Sequence, residues 1–270
     1  MSDPAPGRSG CTVIVLAAQR AGVVNPLAAR AGVSHKCLAP IHGKPLIVHV
    51  MDVVGRHPAV GRVRISVEPE VHGELAVLLA PYVSAGMPVD FVPSSTNIAD
   101  SVLIAAEGQG APYVVTTADN VLLSRESFDA TLAALADHDV VMSLATRETV
   151  LAVHPVAQRR FYEFRDGGYA NCNLYGIGGP QALRAAEAFR SGGQFMKNPK
   201  RLITAFGLFN ILLFRFKLLT LQGAARRLSK SFGLKVAALV PADGSQAVDV
   251  DNERTYDIAE MVLKARDGIA

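Results

Sequence analysis

What this chain has little of narrows its chemistry before any motif is read. Its 270 residues include three cysteines, Cys11, Cys37 and Cys172. That number is odd, the spacing is wide and no metal-ligand pattern appears, which suits a reducing compartment and no disulfide framework. The formal net charge is only +3, too mild to argue for a nucleic-acid partner. No run of like charges occurs, and aromatics are not interleaved with basic residues as in single-strand binders. The seven histidines are scattered, and nothing resembles a Ser–His–Asp constellation. There is no internal repeat, no low-complexity tract and no linker that would divide the chain. A length of 270 residues suits one large α/β domain with an insertion, or two small ones; without a linker, a single domain over residues 1–270 is expected.

What is present is apolar sequence in alternating blocks. Half the residues are hydrophobic, enough for a substantial core. Residues 12–17 (TVIVLA) form a short β-branched run of the kind buried on both faces of a sheet. The run is short and passes straight into a polar loop, so a strand is a better reading than a signal-peptide core. Residues 62–67, 88–92, 113–117 and 140–144 also read as strands. Helical patterns fill 71–83, 98–107 and 125–135, and another helix starts near Pro45, a residue suited to a first helical turn. Strands alternating with helices imply a mostly parallel sheet with right-handed crossovers. The fold class is therefore α/β: Rossmann-like, three-layer α/β/α.

The first strand runs into a loop over 18–34 that holds Arg20, Gly22, Asn25, Pro26 and Arg30, followed by Lys36 and a turn over 40–45. A buried strand, a long loop with small and basic residues, and then a helix is how α/β sheets build phosphate sites at their carboxyl edge. The plain alternative is an ordinary strand–loop–helix unit with solvated basic residues. His35 is open to both readings, as a hydrogen-bond partner of a phosphate or as a solvated loop residue. Asp119 directly follows the strand 113–117 and so falls at the same edge, where a hard divalent cation would find carboxylate oxygen; otherwise it caps the next helix. Asp249 and Asp251, two apart in an apparent strand, project to one face. Ser94, Ser95, Asn97 and Ser101 surround a helix start.

The segment LAA-x-R-x-G…PLA…HKCLAPIHGKPLIVHV over 16–50 resembles the signature of the MobA-like NTP transferases, a nucleotidyltransferase family. The resemblance runs in order through the Asp119 segment to the DVDNERTYD segment at 249–257. It implies that the loop holding Leu16, Ala17, Ala18 and Gln19 wraps a nucleotide triphosphate, and that Arg20 and Lys36 neutralise its charge as the catalytic cations. Gln19 departs from the pattern, standing where the family has glycine. Glycine there lets backbone approach phosphate closely, so the departure bears on loop geometry and nucleotide choice. By position, Asn97 and Ser101 match contacts to base and ribose, and Asn171 and Asn173 match contacts to the acceptor. Asp119 and Asp251, with Asp249 as the rival to Asp251, match the ligands of Mg²⁺, the cofactor implied. The activity implied is transfer of a nucleoside monophosphate from an NTP to a phosphorylated small-molecule or lipid-precursor acceptor, with release of pyrophosphate. CTP or UTP is preferred on family breadth, with GTP open. Two alternatives stand beside it: a glycosyltransferase of the related GT-A fold, whose D-x-D lies in mid-chain rather than near the end, and a non-catalytic nucleotide-binding regulator.

Residues 194–232 read as a helical insertion that is both apolar and basic. Within it, 202–221 (LITAFGLFNILLFRFKLLTL) is long enough to span a bilayer, but Arg215 and Lys217 lie inside it and argue against spanning. Three readings are open: a homodimer interface or lid, a peripheral membrane contact, or the wall of a pocket for a lipid-like acceptor. The expected location is the cytoplasm, with association at the inner membrane surface tied to the second reading.

Overall fold

The computed structural model describes residues 10–19, 25–183 and 208–268. Arg20 and residues 194–207 of the expected insertion lie outside the described residues. One eight-stranded sheet organises the rest. In chain order its strands are β1 (Cys11–Leu16), β4 (Val60–Val67), β5 (Val89–Pro93), β6 (Tyr113–Thr117), β7 (Val140–Thr146), β8 (Tyr162–Phe164), β9 (Gly167–Ile177) and β10 (Val236–Leu239). The spatial order is β10-β7-β9-β6-β1-β4-β5, with β8 paired to β9; a two-stranded ribbon, β2 (Pro40–Ile41) and β3 (Lys44–Pro45), stands apart. β1 pairs in parallel with both β4 and β6, β5 continues the parallel set beyond β4, and β10 runs parallel to β7. β9 is antiparallel to both β6 and β7.

The helices are α1 (Pro26–Ala31), α2 (Leu46–Val54), α3 (His72–Ser84), α4 (Ile98–Ala106), α5 (Arg125–Ala134), α6 (Arg147–Val153), α7 (Leu208–Arg215), α8 (Leu221–Phe232) and α9 (Glu253–Arg266). The alternation of a strand sends neighbours to opposite faces, and β1 uses this fully. Val13 and Val15 pack into a cluster with Ile47, Met51 and Leu75 of α2 and α3. Ile14 joins the opposite cluster with Val102 and Ala105 of α4. Helices on both faces of a buried parallel strand give the three layers expected.

Several local expectations are revised. The loop over 18–34 contains α1, capped by the Asn25 side chain accepting from the Leu27 N–H and closed by Gly32 at φ 68. Pro45 is the residue before α2 rather than its first helical residue, because it pairs with Pro40 in the small ribbon. The stretch 202–221 is not one helix: α7 ends at Arg215, and Lys217 turns at φ 55 before α8 begins. Among the described residues no helix is long and apolar enough to cross a membrane. Phe214 of α7 meets Phe164 of β8 edge-on at 5.3 Å, and the Leu221 N–H donates to the Asp166 carboxylate at 3.0 Å. Leu221 and Ala225 of α8 pack on Ala238 of β10, which covers that edge of the sheet.

Candidate active site

The carboxyl ends of β1, β4 and β6 lie side by side, and the residues just beyond them converge. Lys36 opens a single 3₁₀ turn whose next two residues, Cys37 and Leu38, are buried. That burial fixes the turn and aims the Lys36 side chain away from the core. Its Nζ donates to Asp119 and, at 3.1 Å, to Asp251 Oδ1. Asp119 sits in the turn after β6. The helix that follows is capped by Ser124 instead, so helix capping is not the role of Asp119. Its backbone carbonyl accepts from the Val250 N–H at 3.1 Å, which draws the 249–251 segment against the end of β6. Asp249 and Asp251 therefore do not lie in a strand, as their alternation suggested; the backbone there is tethered to the Asp119 turn instead of to a ladder.

Asn173 reaches the cluster through an irregularity in β9. Met142 and Leu144 of β7 oppose Tyr175 and Asn171, so β9 carries two extra residues between those pairs. Asn173 lies inside that bulge at φ 47, a left-handed conformation that asparagine adopts more readily than most residues. Bulges beside functional sites re-aim side chains; this one turns the Asn173 amide to donate to Asp249 Oδ2 at 2.6 Å. The Asn171 amide backs it up, donating to Asn173 Oδ1 and to the Tyr175 hydroxyl, each at 2.6 Å.

Three carboxylates around one ammonium leave the cluster rich in negative charge. Burial works against the charge on Lys36, yet Asp119 and Asp251 hold its pKa above the ordinary lysine value. Burial likewise opposes ionisation of Asp119, but the Lys36 ion pair and hydrogen bond keep its pKa below the ordinary value. Asp249 goes the other way: burial and the neighbouring Asp119 and Asp251 push it well above the usual carboxylate range. Asp119 Oδ1 and Asp249 Oδ1 are buried without a hydrogen-bond partner. Buried lone pairs of this kind call for a cation or a donor. Among the described residues no three acidic, histidine or cysteine groups form a ready-made metal cage. That is the situation of Mg²⁺, which takes one or two carboxylates and completes its shell with water and substrate phosphate. The residues present fit such an ion.

The loop after β1 leaves the same carboxyl edge of the sheet. Leu16 ends β1, its carbonyl accepting from the Ala118 N–H, and Ala17 just beyond the strand donates its N–H to the Ser66 carbonyl, both at 2.9 Å. Ala18 is exposed. Gln19, in the glycine position, is not forced to positive φ. Its N–H donates to Glu68 Oε1 at 3.0 Å and its side-chain amide to the Ser34 carbonyl at 3.1 Å, so it ties the loop to the segment that carries Lys36. His35 is buried rather than solvated, between the Ser34 hydroxyl and Glu68. Asn97 and Ser101 hold their own loop: Asn97 caps α4 by accepting from the Asp100 N–H, and the Ser101 hydroxyl accepts from the Ser95 N–H.

A cleft of ≈ 350 Å³ opens beside the carboxylates, with Gln158, Arg159, Arg160 and Arg254 among its walls together with Asp249 and Asp251. The arrangement thus brings together Lys36, Asp119, Asp249, Asp251, Asn171 and Asn173. Sequence reasoning missed Glu68 and Arg254. Glu68 carries the signal that marked Asp119, an acid directly after a buried strand. Arg254 had no signal beyond its position after the 249–252 motif.

Residues 13–171 match the MobA-like NTP transferase domain. No curated protein sequence matches the chain. Among solved structures, a hypothetical transferase from Thermus thermophilus is similar at 23% identity and TM-score 0.69, over 92% of this chain and 99% of that one. The 4-diphosphocytidyl-2C-methyl-D-erythritol synthase of Anaerococcus prevotii is similar in fold at 11% identity and TM-score 0.58, over 95% of this chain and 99% of that one. The match over more than half the chain, on a sheet whose carboxyl edge gathers Lys36 and its aspartates, makes this protein a member of the MobA-like NTP transferase family and a nucleotidyltransferase.

Proposed function

We propose that the protein transfers a nucleoside monophosphate from an NTP, CTP or UTP before GTP, to a phosphorylated acceptor, releasing pyrophosphate. The observation that carries the reading is the Lys36 ammonium held between Asp119 and Asp251 at the carboxyl edge of the sheet. The A. prevotii protein, a synthase named for its diphosphocytidyl product, supports a pyrimidine nucleotide by analogy. An acceptor phosphate oxygen attacks the α-phosphorus in line, the bond to the β-phosphate breaks, and pyrophosphate leaves with the electron pair. Such chemistry is mainly positioning and charge neutralisation. Lys36 has a third N–H for the triphosphate beyond the two given to carboxylates. Asp119 and Asp249 would hold Mg²⁺ through their unpartnered oxygens, with Asp251 at the rim; the ion, when bound, supplies charge neutralisation to the phosphates. Asn173 keeps Asp249 oriented, and Gln19 and Glu68 set the loop that covers the phosphates.

The test is pyrophosphate release from each of CTP, UTP, GTP and ATP with a panel of phosphomonoesters. Release with one nucleotide, dependent on Mg²⁺ and reduced about 100-fold in Asp119→Asn, is the expected result. Turnover of a nucleotide-sugar with no pyrophosphate from any NTP would overturn it.

A further inference from the structure

The end of α7 leaves apolar side chains in solvent. Leu212, Phe216 and Leu218 are exposed, the last two at 66% and 55%. Leu212 and Phe216 are one helical turn apart and share a face. Single exposed apolar residues need no explanation, but no other seven-residue stretch of the described residues exposes three large ones. The turn is built to hold them out. The Lys217 N–H donates to the Phe214 carbonyl at 2.9 Å and the Leu218 N–H to the Leu213 carbonyl at 2.8 Å, the two bonds of a Schellman end. That motif puts Lys217 at φ 55, where glycine is usual and lysine is strained. Beyond it the Arg165 N–H donates to the Leu219 carbonyl at 2.8 Å, while Phe214 packs on Phe164 and Leu221 on Ala238. The inner side chains hold the segment to the sheet; the outer three do not take part. Charge distinguishes the same segment. Residues 208–242 carry Arg215, Lys217, Arg226, Arg227, Lys230 and Lys235 and no acid. Arg215, Arg226 and Lys230 are exposed, with no ion-pair partner among the described residues. The acids that approach from β8 and β9 are already engaged, Glu163 by Arg147 and Lys217 and Asp166 by the Leu221 N–H. β8 pairs with β9 beside the last residue of β7, so this face lies at the carboxyl edge of the sheet, the edge that also carries Lys36.

We propose that the α7–α8 turn docks the protein on an anionic lipid surface, resting in the headgroup layer without crossing it. A bilayer suits both halves of the patch: Leu212, Phe216 and Leu218 enter the acyl boundary, and the arginines and lysines meet anionic headgroups. A second copy of the chain suits it poorly. A two-fold interface sets a patch against itself, which would bring the cations together with no acid in 208–242 to answer them. Single-stranded nucleic acid is also disfavoured, because it stacks on aromatic platforms and two of the three outer side chains are leucines. The inference stands apart from the transferase reading, since it uses no residue of the Lys36 cluster.

Vesicle flotation with the full chain tests it. Wild type is expected to float with vesicles of phosphatidylcholine mixed with phosphatidylglycerol and not with phosphatidylcholine alone, and to bind less as salt rises from about 0.1 M to about 1 M. The Phe216→Ser/Leu218→Ser variant, altered only at exposed side chains, should bind at least about tenfold more weakly. Lys217→Gly separates docking from folding. Glycine takes φ 55 without strain, so this variant should melt at or above the wild-type temperature, yet it lacks a cation and should bind about fivefold more weakly. Arg215→Gln should show the same loss with an unchanged melting temperature. Equal binding to both vesicle types, no binding to either, or wild-type affinity in the Phe216→Ser/Leu218→Ser variant refutes the proposal, as does unchanged affinity in both charge variants. Sedimentation velocity reads the competing occupant: a dimer that dissociates in the Phe216→Ser/Leu218→Ser variant, without vesicle binding by wild type, gives this face to a second copy and overturns the lipid assignment.

Discussion

Lys36→Met isolates the electrostatic keystone of the site. Methionine keeps the apolar stem and removes the charge, leaving Asp119, Asp249 and Asp251 facing one another. Lys36 and Asp119 are 21% and 13% exposed at their side chains, so their pairing is close to a buried one. Breaking a buried pair from one side costs roughly 3–5 kcal/mol. The Asp251 pairing adds little, because that side chain is 65% exposed and exposed pairs contribute about 0–1 kcal/mol. Allowing for water at the rim, a loss of about 3 kcal/mol is expected, or roughly 6–12 °C in Tm for a chain of this size. The effect has a defined pH dependence. In wild type, Asp119 is held below its ordinary pKa, so its contribution is present above the unfolded value of about 4 and lost as pH falls through the folded value. In the variant the same carboxylate is buried among acids, and its raised pKa destabilises the fold only where the unfolded state is ionised. The two proteins should therefore differ most near about pH 7 and converge below about pH 4. Excess Mg²⁺ should restore part of the lost stability at neutral pH by mass action on the native state. Calorimetric unfolding of both proteins across pH, with and without Mg²⁺, reads all of this. Equal Tm values at neutral pH, or a deficit that persists unchanged in acid, would refute the reasoning.

Other perturbations probe the supports of the site. Gly244 opens the 3₁₀ turn that leads into the acidic segment, and a Cβ there would lie 2.2 Å from the Thr149 backbone; Gly244→Ala should cost at least about 1–3 kcal/mol and weaken nucleotide binding by displacing Asp249 and Asp251, read by unfolding and calorimetry. Asn173→Gly and Asn173→Ala both delete the amide held on Asp249, so both should lose nucleotide affinity equally. Only the alanine must bear φ 47, and it should be less stable than the glycine variant by about 1 kcal/mol. Asp52 accepts from Lys44 at 2.7 Å and from Tyr82 at 2.7 Å; burial opposes its charge, but these donors keep its pKa below the ordinary value. Asp52→Asn should thus destabilise above about pH 4 by about 1 kcal/mol, with the difference vanishing as pH drops through the folded pKa.

The sheet was legible because strands buried on both faces read as continuous apolar runs, as in β1 and β6, while the amphipathic spacing of α2 and α4 survives in any α/β context. The 249–251 segment misled for a physical reason. Val248 and Val250 are buried and alternate with acids, which is the period of a strand, but the Val250 N–H is taken by the Asp119 carbonyl rather than by a neighbouring strand. Periodicity reports burial, not ladder pairing. The pairing of Lys36 with Asp119 and Asp251 spans 83 and 215 positions; their order along the chain was readable through resemblance, their contact was not. The carboxylate that accepts from the Gln19 N–H lies 49 positions away at Glu68, and the bulge that aims Asn173 depends on the register of β7 against β9. Arg254 joins Arg159 and Arg160 only because α9 folds back across the 156–160 segment.

The most direct measurement of the central claim is calorimetric binding of CTP, UTP, GTP and ATP with Mg²⁺ to wild type, Asp119→Ala and Lys36→Ala. The account predicts that one nucleotide binds selectively and only with the divalent ion, and that each variant weakens it by about tenfold or more. Binding that is equal in all three proteins, or no binding of any nucleotide to the wild type, would contradict the assignment of this lysine–aspartate cluster as a nucleotidyl-transfer site.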